Sequence, residues 1–291
     1  MIKKILKSLI TVFLLIIYAS QAYSQKMQKK IENNITENSD ITILKELLKK
    51  ADKNTLVIFD VRTVLVVEQD AILQPAHKKR FKQFKAKIDA KLSKEKSEEL
   101  YSIILSQKKL ELVDKKILEI FALMRAKEVK FIALTSGRTG RFGIIDKRED
   151  LRIKLLKDLS IEFTDSYPDI KPTIFDEIAV SKSEPSMYKD GILFASKAKK
   201  GTVLKEFYNK EKINANKIIF IDNQIKNLLS VGEFCMQKKI NYRGIHYTNV
   251  ALRKIPLIDE KIVDYQFKVL LEQGKWISDK EAREDLSLSK Q

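Results

Sequence analysis

The sequence predicts an α/β fold: a Rossmann-like parallel sheet flanked by helices, with a helical cap inserted after the first strand. Three observations predict it. Leu56-Val-Ile-Phe59 is a short, continuous apolar run, and Val129 to Thr135 and Lys217-Ile-Ile-Phe-Ile221 each contain one, Phe131 to Leu134 and Ile218 to Ile221. Unbroken runs of that length are expected of parallel strands covered on both faces, whereas a half-exposed strand would alternate. Segments with apolar residues at helical spacing separate them, and that alternation defines a parallel sheet between two helical layers. A strongly basic helical block lies between the first two runs and reads as an insertion on top of the sheet, at about 66–115.

Residues 1–24 stand apart. Lys3, Lys4 and Lys7 precede the apolar stretch Leu9 to Ala19, and Ala22-Tyr-Ser24 offers small residues for cleavage. This is the layout of a secretory signal peptide. The stretch is shorter than the ~20 residues a spanning helix needs. Residues 25–40 are polar and read as a mobile lead-in, and one domain with its cap insertion occupies 41–291. Within it, Ile41 to Lys50 is a helix. Strand one runs from Thr55 to Asp60. The basic block, roughly 76–110, carries Phe81, Phe84 and Ile88 on one face, which reads as core. Leu112 to Ala126 is helical, with Leu112, Ile117, Ile120, Phe121 and Met124 inward. Strand two ends at Thr135-Ser136. Helices follow at Glu149 to Leu159, Gly201 to Tyr208, Ile225 to Met236 and Ile262 to Leu271. Further strands lie at Gly191 to Ala195, Lys217 to Asp222 and Ile240 to Tyr247. Ser278-Asp-Lys-Glu281 has the form of a capping box.

The chain has 291 residues and a formal net charge of +17, with 44% hydrophobic and 33% charged residues. That is enough apolar material for a core and too much for disorder. Arginine supplies only 10 of the 56 basic side chains. The excess is lysine spread along the chain, with no zinc-finger spacing and no aromatic RNA-binding motif. Solvated lysines therefore explain the charge better than nucleic acid does, although a nucleic-acid or anionic-surface binder is the third reading. Cys235 is the one cysteine, so no internal disulfide is available. His77 and His246 lack metal-ligand spacing, and Trp276 reads as a packing anchor.

Ligands of open parallel sheets bind at the carboxyl ends of the strands. Asp60 ends the first strand, Thr135-Ser136 the second and Asp222-Asn223 the third. Lys199-Lys200-Gly201 opens a helix between the last two. A carboxylate can attack a phosphoryl group, a hydroxyl and an ammonium can neutralise its oxygens, and a second carboxylate can help hold Mg2+.

These motifs, in this order, resemble the haloacid dehalogenase (HAD) superfamily: Phe59-Asp60-Val-Arg62-Thr-Val-Leu65, Phe131-Ile-Ala-Leu-Thr135-Ser, Lys200-Gly201 and Ile219-Phe-Ile-Asp222-Asn223. Together with Gly244-Ile-His-Tyr247, the Trp276 region and the leader, they are similar to a branch of uncharacterised secreted HAD-like proteins of intracellular bacteria. The resemblance implies Asp60 as nucleophile and metal ligand, the Arg62 carbonyl and Asp222 as further ligands, Thr135 and Ser136 on the phosphate, and Lys200 (or Lys199) steadying both. It also implies a substrate-selecting cap. Two departures matter. Arg62 stands where the family has its proton-donating acid, and arginine is no general acid at physiological pH. Asn223 stands where a second acid is common. The expected charge of the site falls near zero, so Mg2+ is expected to bind weakly. Arg62 is expected to pair with Asp60, Asp222 or both and to replace the metal in part. The sequence thus points to a periplasmic or secreted protein with a degenerate phosphohydrolase site. Its expected partner is a small phosphorylated ligand or an unidentified host or bacterial protein. An active Mg2+-dependent phosphomonoesterase is the alternative.

Overall fold

The computed structural model describes residues 25–288, so the leader lies outside the described residues. In chain order the strands are β1 (Ile35–Asn38), β2 (Thr55–Phe59), β3 (Val66–Glu68), β4 (Leu110–Leu112), β5 (Lys130–Thr135), β6 (Thr173–Ile174), β7 (Met187–Lys189), β8 (Ile192–Phe194), β9 (Lys217–Asp222) and β10 (Asn241–Tyr247). The helices are α1 (25–32), α2 (Ile43–Leu48), α3 (Lys78–Asp89), α4 (Lys94–Gln107), α5 (Ile117–Ala126), α6 (Arg148–Lys157), α7 (Lys200–Lys210), α8 (Ile225–Gln237), α9 (Asn249–Leu252), α10 (Glu260–Gln273) and α11 (Asp279–Leu288).

Eight strands form one sheet in the order β1-β10-β9-β2-β5-β8-β7-β6. The first six are parallel, and β7 and β6 extend the edge antiparallel. The buried strands fill both faces, as their continuous apolar runs require. Val57, Phe59, Phe131, Ala133, Ile219 and Ile221 point into one core. Leu56, Ile58, Ile132, Leu134, Ile218 and Phe220 point into the other. This is the period-2 alternation of a pleated strand, with helices covering each side. Phe121 anchors the first core, edge-on to Phe59 at 5.3 Å and to Phe163 at 5.4 Å.

The polar stretch 25–40 is not a loose lead-in. Residues 25–32 are helical, Ile31 is buried, and β1 pairs in parallel with β10, Ile35 opposite Gly244. An edge strand needs only part of its length buried, so its few apolar residues suffice. Leu112, expected to begin a helix, instead ends β4 opposite Val66. The hairpin joining β7 to β8 turns at Asp190-Gly191, both at positive φ, as a two-residue Asp-Gly turn favours.

The insertion after β2 is a two-stranded ribbon, β3 with β4, carrying α3 and α4. It has its own apolar core, and the C-terminal segment completes it. Ile72, Phe84, Leu100 and Ile104 pack with Val263, Phe267, Leu270 and Trp276. Phe84 stacks on Phe267 at 4.4 Å. Phe84 and Ile88 are thus core as expected, while Phe81 is only partly buried. Trp276 is the expected anchor: it packs edge-on to Phe267 and donates Nε1–H to Asp70 at 2.9 Å. The capping box is also present, with the Ser278 amide donating to Glu281 at 2.8 Å and the Glu281 amide to Ser278 Oγ at 3.3 Å.

Candidate functional site

The chain runs outward from β2 through β5 to β8, then returns to the other side of β2 for β9 and β10. The order reverses between β2 and β9, and the carboxyl ends of those two strands flank the resulting crevice. Register then dictates the site. Phe59 lies opposite Ile221, and the Asp60 amide donates to the Ile221 carbonyl at 2.8 Å. Asp60 and Asp222 therefore emerge side by side, at the end of two strands buried on both faces.

Two adjacent carboxylates with almost no solvent need a cation, and Lys200 supplies it. Its Nζ donates to Asp60 Oδ1 at 2.5 Å and to Asp222 Oδ2 at 2.7 Å. Lys200 is 2% exposed and Asp222 fully buried. Burial works against the charge on Lys200, but the two acids outweigh it and its pKa lies above the ordinary value. Burial pushes Asp222 up, Lys200 opposes this, Asp60 adds to it, and the carboxyl titrates at about 6. Asp222 Oδ1 accepts from the Gln224 amide at 2.8 Å, and Asn227 Nδ2 reaches both of its oxygens, at 3.1 and 3.0 Å.

Of the two candidate lysines, Lys200 faces the site; Lys199 is exposed at the helix cap. Gly201 explains how Lys200 gets there. A Cβ at Gly201 would stand 2.0 Å from the Ser230 carbonyl oxygen, so α7 can lie against α8 only with glycine at this position. Gly201→Ala is expected to lower stability by about 1–3 kcal/mol through overpacking. A thermal melt checks it: an unchanged midpoint would mean that the helices have room to part.

Thr135 ends β5, two residues past Ala133, the partner of Phe59. Its hydroxyl accepts from the Gly137 amide at 3.1 Å and shapes the following turn. Ser136 is exposed. The side-chain oxygen Oδ1 of Asn223 is buried with no hydrogen-bond partner among the described residues. His246 Nε2 lies 3.2 Å from the Asn223 carbonyl, and His77 donates to the Pro256 carbonyl at 2.8 Å. Cys235 is buried in α8, where burial pushes its thiol up to about 12.

Arg62 does not do what its place in the sequence suggests. It pairs with neither Asp60 nor Asp222. Thr63 takes a left-handed conformation, φ 70°, and the Leu65 and Val66 amides fold back onto the Val61 carbonyl. The tight turn carries the Arg62 side chain under the insertion. There its Nε donates to Glu68 Oε2 at 3.1 Å, and its guanidinium also donates to the Leu73 carbonyl at 3.1 Å. Glu68 is the stronger claimant. It is 3% exposed, and it also takes Lys108 Nζ at 2.8 Å. Burial alone would raise its pKa, but Lys108 and Arg62 hold the carboxyl down at about 2. The cluster Asp60–Lys200–Asp222 is therefore one charge negative, not neutral, and Lys200 rather than Arg62 occupies the position between the acids.

The donor set suits Mg2+ poorly, and the sequence itself predicts no more than weak binding. Asp222 has both oxygens engaged, and Asp60 faces the same ammonium. Among the described residues no group of three or more Asp, Glu, His or Cys side chains could hold a metal ion. Sequence reasoning missed Asn227, Glu68, Lys108 and Arg152. Asn227, five residues beyond Asp222 and in the first turn of α8, carries a local signal; the others are united only by the fold.

The protein is thus an α/β protein with a carboxylate–lysine–carboxylate cluster at its topological switch point. It belongs to the family described as "Protein of unknown function (DUF2608)", which matches residues 20–283. An uncharacterized protein of Rickettsia prowazekii (strain Madrid E) is 22% identical over 98% of this chain and 99% of its own length. A protein of Chlamydia trachomatis (serovar D) named "Putative outer membrane protein" is 43% identical, but over 21% of this chain and 23% of its own length. One of the same name from Chlamydia pneumoniae is 30% identical over 41% of this chain and 42% of its own. The matched part thus spans about a quarter to two fifths of these chlamydial relatives. No solved structure matches.

Proposed function

We propose that the chain is a HAD-like protein with a degenerate phosphohydrolase site, which binds a phosphorylated ligand and turns it over weakly or not at all. The observation that carries this is the position of Arg62. The residue two beyond Asp60, where the resembled family keeps its proton donor, is a guanidinium held by Glu68 and the Leu73 carbonyl. The Asp60 carboxylate retains the geometry of a nucleophile, at a strand end beside Lys200. At the position two beyond Asp60 there is no carboxylic acid to protonate a leaving group. Loss of general-acid help costs about 10²–10⁴ in rate. The unsuitable donor set for Mg2+ supports the same reading.

We place the protein in the cell envelope or outside the cell. The leader at 1–24 and the names of the chlamydial relatives support this. Among the described residues no helix is long and apolar enough to cross a membrane.

The test is hydrolysis of p-nitrophenyl phosphate, whose leaving group needs least protonation, with and without Mg2+ and beside Asp60→Asn. We expect no turnover above the Asp60→Asn control in either condition. Metal-dependent turnover that the substitution abolishes would overturn the degenerate reading and establish an active phosphomonoesterase.

A further inference from the structure

A cavity of about 470 Å³ lies between the carboxyl edge of the sheet and the insertion. Its lining has two characters. Ile72, Leu73, Phe81, Ile104, Leu105 and Phe142 make it largely apolar. Arg62, Arg152, Lys108, Lys78, Lys82 and Lys85 make it strongly positive, and Glu68 is the one acid among the lining residues. Lys78, Lys82 and Lys85 are spaced 4 and 3 apart, so they form a single stripe of α3. Over seven residues that stripe is roughly 10 Å long at helical rise. One phosphate cannot meet its whole length.

Arg152 gives the cavity its sharpest feature. It projects from α6, and its Nη1 is buried with no hydrogen-bond partner among the described residues. Glu68, the acid nearest to hand, is already held by Arg62 and Lys108. Burial disfavours the Arg152 charge, Glu68 and Asp60 favour it, and Arg62 again opposes it. Asp60 thus lies within electrostatic reach of the cavity. A guanidinium nitrogen buried without a partner is costly, and an anionic ligand that reaches Nη1 removes the cost.

We propose that this cavity binds an amphiphilic organic polyanion of the organic diphosphate class. The charged head lies against Arg152, Arg62 and the α3 lysines. The apolar or aromatic body lies against Phe81, Leu105 and Phe142. The inference rests on the proposed function for the phosphate as the head group; the charge and apolar lining of the cavity stand on geometry alone. The volume is that of a pocket for a ligand of nucleotide size or a little larger.

Isothermal titration of the protein with pyrophosphate, ADP and farnesyl diphosphate tests it, without any need for turnover. At least one organic diphosphate is expected to bind 10-fold or more tightly than pyrophosphate. Arg152→Gln is expected to weaken that binding 30-fold or more. Leu105→Trp, which fills the apolar side from a partly buried position, is expected to abolish the preference for the organic ligands while leaving pyrophosphate affinity within threefold. Organic diphosphates that bind no tighter than pyrophosphate would overturn the proposal, and so would full affinity in Arg152→Gln. Either failure leaves the p-nitrophenyl phosphate result, which reports on Asp60 alone, untouched.

Discussion

Lys200→Met is expected to destabilise the fold by about 3–5 kcal/mol, the usual consequence of removing one partner of a buried ion pair. The substitution keeps a four-atom unbranched stem, with sulfur in place of one methylene, and removes the ammonium at its end. Asp60 and Asp222 would then stand side by side with no cation at 2.5 and 2.7 Å. The Gln224 amide and Asn227 would still serve Asp222, but neither carries charge. The loss should depend on pH, and the sign follows from the protonation states. Without Lys200, burial and Asp60 both raise the Asp222 carboxyl above its unfolded value of 3.8, and nothing charged opposes them. A carboxyl raised in the folded state penalises folding increasingly as pH climbs from the unfolded value through the folded one. The penalty is therefore smaller at pH 5 than at pH 8. A cycle with Asp222→Asn isolates the interaction: the double variant should be less damaged than the sum of the singles by about 2 kcal/mol or more. Denaturant unfolding of the four proteins at both pH values decides it. A pH-independent loss, or additive singles, would mean that Lys200 packs but does not hold the acids together.

Much of this cluster is legible in the sequence because strand ends are. An apolar run that stops at an acid declares both the strand and the place where the carboxylate emerges, so the sequence alone puts Asp60 and Asp222 on one edge. Their separation is not legible; it follows from the pairing of β2 with β9, which no local pattern records. Lys199 and Lys200 cannot be told apart from composition, because one step along a helix turns a side chain by about 100°. The tight approach at Gly201 settles the phase.

Arg62 misleads for an instructive reason. Its nearness to Asp60 in sequence suggests nearness in space. Beyond a strand end that inference depends on the turn, and the turn here rests on a threonine at positive φ, which a non-glycine residue adopts only rarely. Glu68 closes an apolar run and looks incidental in the sequence. Its meaning comes from Lys108, forty residues away and brought beside it by the β3–β4 ribbon. The C-terminal contribution to the cap is illegible for the same reason: Trp276 reads as a packing anchor, but only the fold shows that α10 lies on α3 and that the two complete one core.

Acid should expose Glu68 next. In the folded state its carboxyl titrates at about 2, against 4.5 without the fold. Between those values the unfolded chain binds the proton and the folded chain does not, so stability falls as pH drops through that window. The full difference corresponds to about 3 kcal/mol at 1.36 kcal/mol per pH unit. Asp222 works in the opposite sense at higher pH. Its folded carboxyl takes up a proton near 6, well before the unfolded one at 3.8, so stability rises as pH falls from about 6 to 4, by an amount comparable to the Glu68 loss. The two slopes meet near pH 4–4.5, and the unfolding free energy should pass through a local maximum there before the acid loss begins. Glu68→Gln should remove the steep limb below pH 4.5. It should also cost stability at neutral pH, because Lys108, pushed down to about 8 by burial, loses the carboxylate that keeps it charged. The loss at pH 7 should exceed that at pH 3 by about 2 kcal/mol, because the folded carboxyl is still mostly ionised at pH 3. Equal losses at the two values would show that Glu68 is not the carboxylate that binds the insertion to the sheet by charge, and that the turn at Thr63 aims Arg62 for another reason.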